Sequence, residues 1–383
     1  MSSVYQVAGH SLTLLRNGAE YFPHLLDAVG AAQRSIYLET YIFSADASGL
    51  RLKEALQSAA ARKVDVRLML DGFGSSDFPP EWLETMRGAG VKVLWFRPEL
   101  TRTRMFRQRL RRLHRKLVVV DEHTAFVGGI NISDEALTPR LDYAVEVQGP
   151  VVEEISRAMR KLWQLVSWAS LRHSSDHALF RIQGRSGPQQ VMFLIRDNLR
   201  HRRDIEHAYL HAIKHAQHEI VIANAYFLPG LRFRRYLLRA ARRGVRVVLL
   251  LQGKIEYRLQ HYATLAMYDE LLGAGIEIHE YTQSFLHAKV AVVDGSWATV
   301  GSSNIDPFSL WLAREANLVV QDRAFAGALR ASLEHEIQHG AQRMTALDWH
   351  RHGLCERGVL RVSYALVRLL AGLSGYLHKR DDI

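Results

Sequence analysis

Apolar positions fall into short runs separated by amphipathic stretches, and this alternation continues through most of the 383-residue chain. The runs at 117–120 and 290–293 are too short for helices and are rich in β-branched residues, which favours buried strands. Segments with helical spacing of apolar positions lie between such runs, for example at about 20–32, 49–62 and 203–216. Strands that alternate with helices predict an α/β fold in which helices flank a β-sheet.

The chain contains a long internal repeat. Segments of the first half match segments of the second in the same order: 11–18 with 191–198, 31–43 with 215–227, 64–72 with 245–253, 88–96 with 273–281, and 114–131 with 287–304. The first half carries about a dozen additional residues before His114. Because each copy of so long a repeat is one structural unit, we predict two pseudo-symmetric α/β domains, each with a mixed sheet.

The repeat also sets the predicted domain boundaries. They are 1–172 for the first domain, 173–190 for a linker rich in polar residues, Gly and Pro, 191–345 for the second domain, and 346–383 for a tail. The segment 151–172 reads as a long helix that closes the first domain, and we expect its Trp163 and Trp168 to lie in the core.

Each half ends with the same set of polar residues. The first half has His114, Lys116, Asp121, Gly128, Gly129 and Asn131, and the second has His287, Lys289, Asp294, Gly301, Ser302 and Asn304. Residues i and i+2 of a strand face the same side, so His and Lys are expected to project together. The turn at the glycines would let the backbone approach a ligand and aim N–H groups at an anion. Imidazole, ammonium and amide groups together indicate a site that handles phosphate.

A carboxylate follows each set at a fixed distance. Asp142 comes eleven residues after Asn131, and Glu315 comes eleven residues after Asn304. A carboxylate near a catalytic His is expected to accept its ring N–H and fix the tautomer. One such set arises by chance in many proteins, whereas two copies with the same spacing favour a real site over an inactive scaffold.

Charge and cysteine content narrow the function further. Lys and Arg number 50 against 39 Asp and Glu, a net charge of +11 that indicates an anionic partner such as nucleic acid or phospholipid headgroups. The single Cys excludes an intrachain disulfide framework and a multi-Cys zinc site. We find no secretory signal pattern and no run of 18 apolar residues, so a spanning helix is not expected.

The two His-x-Lys-x₄-Asp motifs, with their glycines and Asn, resemble the phospholipase D superfamily over roughly residues 10–340. Within it, the chain is most similar to the bacterial cardiolipin synthases. The supporting runs are IYLETYIF at 36–43, ANAYFLPG at 223–230, RAARRGVRV at 239–247 and WATVGSSNIDPFSLWLAREANLVV at 297–320. The resemblance implies two phospholipase D-like domains with the active site at their interface.

The resemblance also implies a reaction. It is a two-step transfer of a phosphatidyl group from one phosphatidylglycerol to a second phospholipid through a phosphohistidine, with release of glycerol and with no metal or other cofactor. The expected partners are phosphatidylglycerol, other anionic phospholipids and a membrane surface, but not nucleic acid. Whether the acceptor is phosphatidylglycerol or phosphatidylethanolamine stays open, as does the oligomeric state.

By the same resemblance, His114 is the nucleophile and His287 the general acid and base, although the spacing alone leaves this order open. The lysines, Asn131 and Asn304 would hold the phosphoryl oxygens, and Asp142 and Glu315 would orient the imidazoles within or across the halves. Asp121 and Asp294 complete the catalytic motif, but a structural role at the strand ends is expected for them.

Three other functions remain open: a phospholipase D-like nuclease, a hydrolytic phospholipase D, and a lipid-binding module without activity. The Arg-rich segment 97–112 has seven Arg and one Glu but only Phe106 among aromatics, which disfavours a base-stacking groove. It is expected to bind anionic headgroups instead.

Membrane contact is expected at the end of the chain as well. In the stretch 357–380, Arg361 and Arg368 are seven residues apart and share a helical face. This predicts either a basic amphipathic helix in the membrane interface or a helix packed on the core. We expect peripheral attachment to the cytoplasmic face of a bacterial inner membrane.

Overall fold

The computed structural model describes residues 3–98, 111–136, 140–169, 190–197, 200–345 and 354–375. Nearly all of the predicted linker 173–190 lies outside the described residues. So do 99–110 of the Arg-rich segment and both ends of the predicted tail.

Within the described residues, the first half forms an eight-stranded sheet and four α-helices. Its strands are β1 Val4–Val7, β2 His10–Arg16, β3 Ser35–Thr40, β4 Asp65–Asp71, β5 Lys92–Phe96, β6 Leu117–Val120, β7 Thr124–Gly128, a separate short β8 Arg140–Leu141, and β9 Tyr143–Gln148. Its helices are α1 Asn17–Ala31, α2 Ala47–Ala61, α3 Pro80–Gly88 and α4 Val151–Ala169. The sheet order is β1-β2-β9-β7-β6-β3-β4-β5, with β3, β4 and β5 parallel and the other pairs antiparallel.

The second half repeats this arrangement. Its strands are β10 Val191–Arg196, β11 Glu219–Asn224, β12 Arg246–Gln252, β13 Glu277–Tyr281, a separate short β14 Phe285–Leu286, β15 Lys289–Val293, β16 Trp297–Gly301, β17 Glu315–Gln321 and β18 Ala341–Met344. Its helices are α5 Asp204–His215, α6 Leu231–Arg242, α7 Arg258–Leu265, α8 Tyr268–Gly273, α9 Pro307–Trp311, α10 Arg323–Gly340 and α11 Leu354–Gly375. The order β10-β17-β16-β15-β11-β12-β13-β18 matches the first sheet except at the edges, where β1 and β18 are extra.

The core lies in layers. One buried cluster joins the facing sides of both sheets and includes Val145 of β9 and Leu318 of β17, together with residues of α4 and α10. Separate apolar clusters cover the outer side of each sheet beneath the remaining helices. This arrangement confirms the predicted fold class of two pseudo-symmetric mixed sheets flanked by helices.

Two short backbone pairings cross between the halves. β14 runs parallel to β8, with Leu286 opposite Leu141, and Leu113 forms an isolated bridge with Arg314. The segment before each motif His is therefore fixed to the half that does not carry it.

Helix α4 corrects one prediction about the core. Trp163 is buried, but Trp168 is 79% exposed. The two residues are five positions apart, a rotation of about 140° beyond one full turn, so a helix with a single buried face cannot bury both.

Helix α11 combines the two alternatives considered for the tail. Leu360 and Val367 are buried against the second half, while Val359, Val362 and Leu366 are exposed. Its outward face is thus apolar rather than basic among the residues described. No helix in the described part of the chain is long and apolar enough to cross a membrane.

Candidate active site

Each motif His is bound to a carboxylate of the opposite half. His114 Nδ1 lies 3.0 Å from Glu315 Oε1 and 3.1 Å from Oε2, and His287 Nδ1 lies 2.6 Å from Asp142 Oδ2. An ionised carboxylate only accepts hydrogen bonds, so each Nδ1 carries the proton. Each Nε2 is thereby left as the reactive nitrogen.

The two carboxylates are themselves held in place. Ser302 Oγ donates to Glu315 Oε2 at 2.6 Å, and the backbone N–H of Tyr143 donates to Asp142 Oδ1 at 2.8 Å. Gly129 occupies the position equivalent to Ser302, and a Cβ there would overlap the Asp142 carboxylate. Glycine is thus required at 129 because the carboxylate fills the space of a side chain.

Both motif lysines lie in the same buried site. Lys116 Nζ donates to the backbone oxygen of His114 at 2.8 Å, and Lys289 Nζ donates to that of His287. Burial lowers the pKa of Lys116 to about 7 and that of Lys289 to about 8, although Glu315 and Asp142 oppose the shift. Two ammonium groups buried in one site repel each other, so the site favours binding of an anion that balances their charge.

The histidines and Asp142 are shifted by the same burial. Desolvation lowers the pKa of His114, against the pull of Glu315, and lowers the pKa of His287 well below its usual value. Lys289, Lys116 and His114 add to the shift at His287, which places both motifs within electrostatic range of one another. Burial raises the pKa of Asp142 to about 6. Near neutral pH both imidazoles are therefore uncharged.

The glycine turns differ from the prediction. The backbone N–H of Gly129 donates to Tyr143 O at 3.0 Å, and that of Ser302 donates to Ala316 O at 2.9 Å. Gly128 and Gly301 lie at the ends of β7 and β16, where a Cβ would overlap the neighbouring strand. The expectation that the amides of Gly129 and Ser302 bind phosphate was wrong, because sheet hydrogen bonds already use them.

The motif asparagines remain available to a ligand. Asn131 Oδ1 and Asn304 Oδ1 are buried and have no hydrogen-bond partner in the described part of the protein. Buried polar atoms are nearly always paired, and an amide oxygen only accepts, so each Oδ1 is suited to a hydrogen-bond donor on a bound group.

Asp121 and Asp294 lie at the ends of β6 and β15 that are remote from the histidines. Asp121 accepts the backbone N–H groups of 33–35, and Asp294 accepts those of 217–219. A four-residue strand spans about 13 Å, so neither carboxylate reaches the imidazoles. These contacts correct the grouping of Asp121 and Asp294 with the catalytic residues. Each carboxylate instead fixes the turn that leads into a neighbouring strand, which agrees with the structural role expected for it.

The histidines precede the strands rather than lying in them. β6 begins at Leu117 and β15 at Lys289, while the N–H groups of His114 and His287 donate to Arg314 O and Leu141 O. The backbone N–H of each motif His therefore pairs with the opposite half instead of with a strand of its own sheet.

Sequence reasoning missed a second matched pair of supporting side chains. Asp71 Oδ2 accepts the N–H of Leu113 at 2.7 Å, and Gln252 Oε1 accepts that of Leu286 at 3.1 Å. Both residues end the equivalent strands β4 and β12, and each holds the residue just before a motif His. Their matching place in the repeat was the signal that could have identified them.

The first half also has side chains near its imidazole and its buried Arg115 that have no counterpart in the second half. Tyr41 places its ring 5.0 Å from that of His114, edge to face. Arg115 and Glu39 are buried 3.7 Å apart, and burial raises the pKa of Glu39 to about 7. The repeat places alanine at the corresponding three positions of the second half, so aligning the two copies was the signal that could have shown this asymmetry.

A metal site is not evident among these groups. The described residues contain no group of three or more His, Cys, Asp or Glu side chains placed to hold a metal ion. The histidines, lysines and carboxylates instead pair with one another.

We expect sulfate binding at this site to weaken as the pH rises through about 7 to 8. Both lysines are charged below their lowered pKa values and lose the charge above them, whereas sulfate stays a dianion. Losing charged hydrogen bonds should weaken binding at least about tenfold between pH 6 and 9. Isothermal titration measures this, with the Lys116→Met/Lys289→Met double variant reporting sulfate bound elsewhere. Equal pH dependence in the double variant would contradict the assignment.

The fold and the paired His-Lys sets at the interface define a phospholipase D-like enzyme. The family profile described as cardiolipin synthase, PLD-like domain, matches residues 25–163 and 209–337. The chain is similar to cardiolipin synthase B of Shigella flexneri and of Escherichia coli K12, at 40% identity over 354 residues, covering 88% of this chain and 82% of each relative. The chain therefore belongs to the cardiolipin synthase family, as its motifs indicated, and is a phosphatidyltransferase.

A solved structure supports the fold independently. The crystal structure of phosphatidylserine synthase from Haemophilus influenzae Rd KW20 matches with a TM-score of 0.74 at 13% identity, covering 98% of this chain and 96% of that chain. At this identity the likeness speaks for the fold alone.

Proposed function

We propose that the protein transfers a phosphatidyl group from one phosphatidylglycerol to the headgroup hydroxyl of a second phospholipid, and releases glycerol. The observation that carries the proposal is the pair of imidazoles, each held through Nδ1 by a carboxylate of the other half. Such a pair offers two Nε2 atoms to one phosphorus, one for attack and one for proton transfer.

In the first step, His114 Nε2 attacks phosphorus as the bond from phosphorus to the glycerol oxygen breaks. Binding of the anionic phosphodiester favours the protonated form of His287. This imidazolium donates its Nε2 proton to that oxygen, so neutral glycerol leaves and a phosphohistidine remains. Glu315 stabilises the positive charge that develops on His114 and keeps its ring in position. The choice of His114 as nucleophile follows the family resemblance.

In the second step, the headgroup hydroxyl of a second lipid gives its proton to His287 Nε2. Its oxygen then bonds to phosphorus as the bond to His114 breaks, which yields cardiolipin and restores both imidazoles. The bonds formed and broken are of one kind, so splitting the exchange into two displacements suits a nearly balanced reaction.

The nonbridging oxygens of the phosphoryl group would accept hydrogen bonds from Nζ of Lys116 and Lys289 and from Nδ2 of Asn131 and Asn304 throughout. Donors placed in a buried site stabilise charge more strongly than they would in water. The anion in turn would restore the charge of the two lysines, whose pKa values burial has lowered.

Product analysis tests this function directly. Purified protein is mixed with labelled phosphatidylglycerol in detergent micelles, and the lipids are then separated. Cardiolipin and glycerol in equal amounts are expected. Phosphatidic acid as the main product would assign a hydrolytic phospholipase D, and cleavage of DNA without lipid turnover would assign a nuclease.

Membrane binding is proposed to involve the outward face of α11. Four of its apolar side chains are exposed at helical spacing: Val359, Val362, Leu366 and Leu369. The neighbouring α6 exposes arginines, and its Arg234 lies 6.0 Å from the ring of Tyr364 on α11. Apolar residues beside basic ones suit the surface of an anionic bilayer, on which the protein would lie peripherally at the cytoplasmic face of a bacterial inner membrane.

We expect the Val362→Asp/Leu366→Asp variant to bind vesicles containing phosphatidylglycerol at least about tenfold more weakly, because two side chains no longer enter the bilayer interface. Flotation of vesicles measures this, with Leu50→Asp on α2 as a control at another exposed leucine. High salt should weaken binding of the unaltered protein. Equal binding to purely zwitterionic vesicles would contradict the electrostatic part of the proposal.

A further inference from the structure

The two halves differ in what covers each imidazole. In the first half, Tyr41 lies against His114, and Lys116 Nζ is 5.4 Å from the centre of its ring. The repeat aligns 36–43 with 220–227, which places Ala225 at the position equivalent to Tyr41. The space that a tyrosine ring fills beside His114 is therefore not filled by residue 225 beside His287.

A pocket that opens to solvent, with about 350 Å³ of empty space in all, lies at this position in the second half. Its lining includes Ala225, Tyr226, Gln252, Lys254, Glu256 and His261. Gln252 also holds the backbone of Leu286, the residue before His287, at 3.1 Å. The cavity thus adjoins the segment that carries His287.

Its polar groups form a small network that reaches the catalytic residues. Glu256 accepts a hydrogen bond from Tyr226 Oη at 2.6 Å and one from Arg140 Nη2 at 3.2 Å. Arg140 in turn acts electrostatically on His287, and Glu256 acts on Lys289. Arg140 also directly precedes Leu141, whose backbone oxygen accepts the N–H of His287 at 2.8 Å. The network therefore connects the cavity to the backbone that holds His287.

The network leaves hydrogen-bonding capacity for a ligand. Gln252 Nε2 is buried and has no partner in the described part of the protein. A carboxylate has about four acceptor positions, so Glu256 can still accept after its two contacts. One amide donor and one carboxylate acceptor match neighbouring hydroxyl groups, whereas the negative charge of Glu256 disfavours a second phosphate.

We infer that this cavity binds the polyol part of the alcohol that is exchanged at phosphorus. The inference rests on the proposed function and specifies where the glycerol headgroup sits when it leaves and when the second headgroup arrives. A hydroxyl held here would be presented from the side of the segment that carries His287, the residue that gives and takes its proton in the proposed reaction. The site thereby selects an alcohol carrying a neighbouring hydroxyl over a simple alcohol.

Competition between two soluble alcohols tests the inference. Unlabelled phosphatidylglycerol is the donor, and glycerol and ethanol that carry different labels are offered together. The ratio of labelled phosphatidylglycerol to labelled phosphatidylethanol is measured. We expect the unaltered protein to prefer glycerol. Glu256→Gln should lower the glycerol-to-ethanol ratio about tenfold, because it replaces a charged acceptor by a neutral amide.

A second variant and a matched control sharpen the result. Ala225→Tyr places in the cavity the ring that the first half carries, and it should also lower the ratio. Glu135→Gln removes the other carboxylate paired with Arg140, but Glu135 does not line the cavity. The control should keep the ratio of the unaltered protein.

Three outcomes would overturn the inference. An unchanged ratio in both cavity variants shows that the cavity does not select the alcohol. An equal loss in Glu135→Gln assigns the effect to the charge around Arg140. A preference for ethanolamine over glycerol in a parallel competition means that Glu256 binds an ammonium group. If the unaltered protein transfers to no alcohol, the proposed function itself fails, and this result is distinct from active variants with an unchanged ratio.

Discussion

Replacing His114 by alanine is expected to abolish both turnover and the covalent intermediate. Its Nε2 is the proposed nucleophile, and the substitution removes the imidazole that Glu315 holds in place. Loss of a nucleophile of this kind costs roughly 10⁴-fold or more in rate. Turnover is followed with labelled phosphatidylglycerol, and the adduct is sought by mass spectrometry of acid-sensitive phosphopeptides.

The control for this variant is His335→Ala, which removes an exposed imidazole on α10. It should keep full activity. Circular dichroism must show that the His114→Ala protein is folded, since His114 is largely buried. A folded His114→Ala protein that retains turnover would rule out the proposed nucleophile.

Replacing His287 by asparagine should slow turnover about 10²- to 10⁴-fold, the usual range for a lost general acid and base. A donor lipid with a nitrophenyl leaving group needs no acid to depart, so its first step should remain fast. The second step still needs a base to activate the incoming hydroxyl. We therefore expect a burst of about one nitrophenol per protein, followed by a slow steady release of nitrophenol. The adduct should accumulate on His114.

The same substrate separates the two histidines. His114→Ala should give no burst, whereas His287→Asn should give a full one. An adduct on His287 would reverse the assigned roles but keep the two-step reaction. The absence of a burst in both variants would instead indicate direct transfer between the two lipids without a covalent intermediate.

The site depends on contacts between residues far apart in the sequence. The His114–Glu315 pair is separated by 201 residues and the His287–Asp142 pair by 145. The equal spacing in the repeat predicted that each imidazole would have a carboxylate. It could not choose between a partner in the same half and one across the interface, because that depends on how the two sheets face each other.

The hydrogen-bond partners of the amides in the glycine turns also could not be predicted from the sequence. Their sequence suggested free N–H groups, but Gly129 and Ser302 donate to β9 and β17. Whether a turn presents its amides to a ligand depends on the neighbouring strand, which comes from a different part of the chain. Phosphate binding is therefore proposed for the lysine and asparagine side chains rather than for these two amides.

By itself the sequence determined the repeat, the alternation of strands and helices, and the His, Lys, Asn and carboxylate positions. These features follow from the spacing of residues along the chain and from the match between the two halves. Only the tertiary structure decided the exchange of carboxylates across the interface, the exposure of Trp168 and the opening at Ala225 where the first half has Tyr41. The physical reason is that hydrogen bonding, burial and cavity shape are set by side chains brought together from distant segments, and local patterns carry no record of those neighbours.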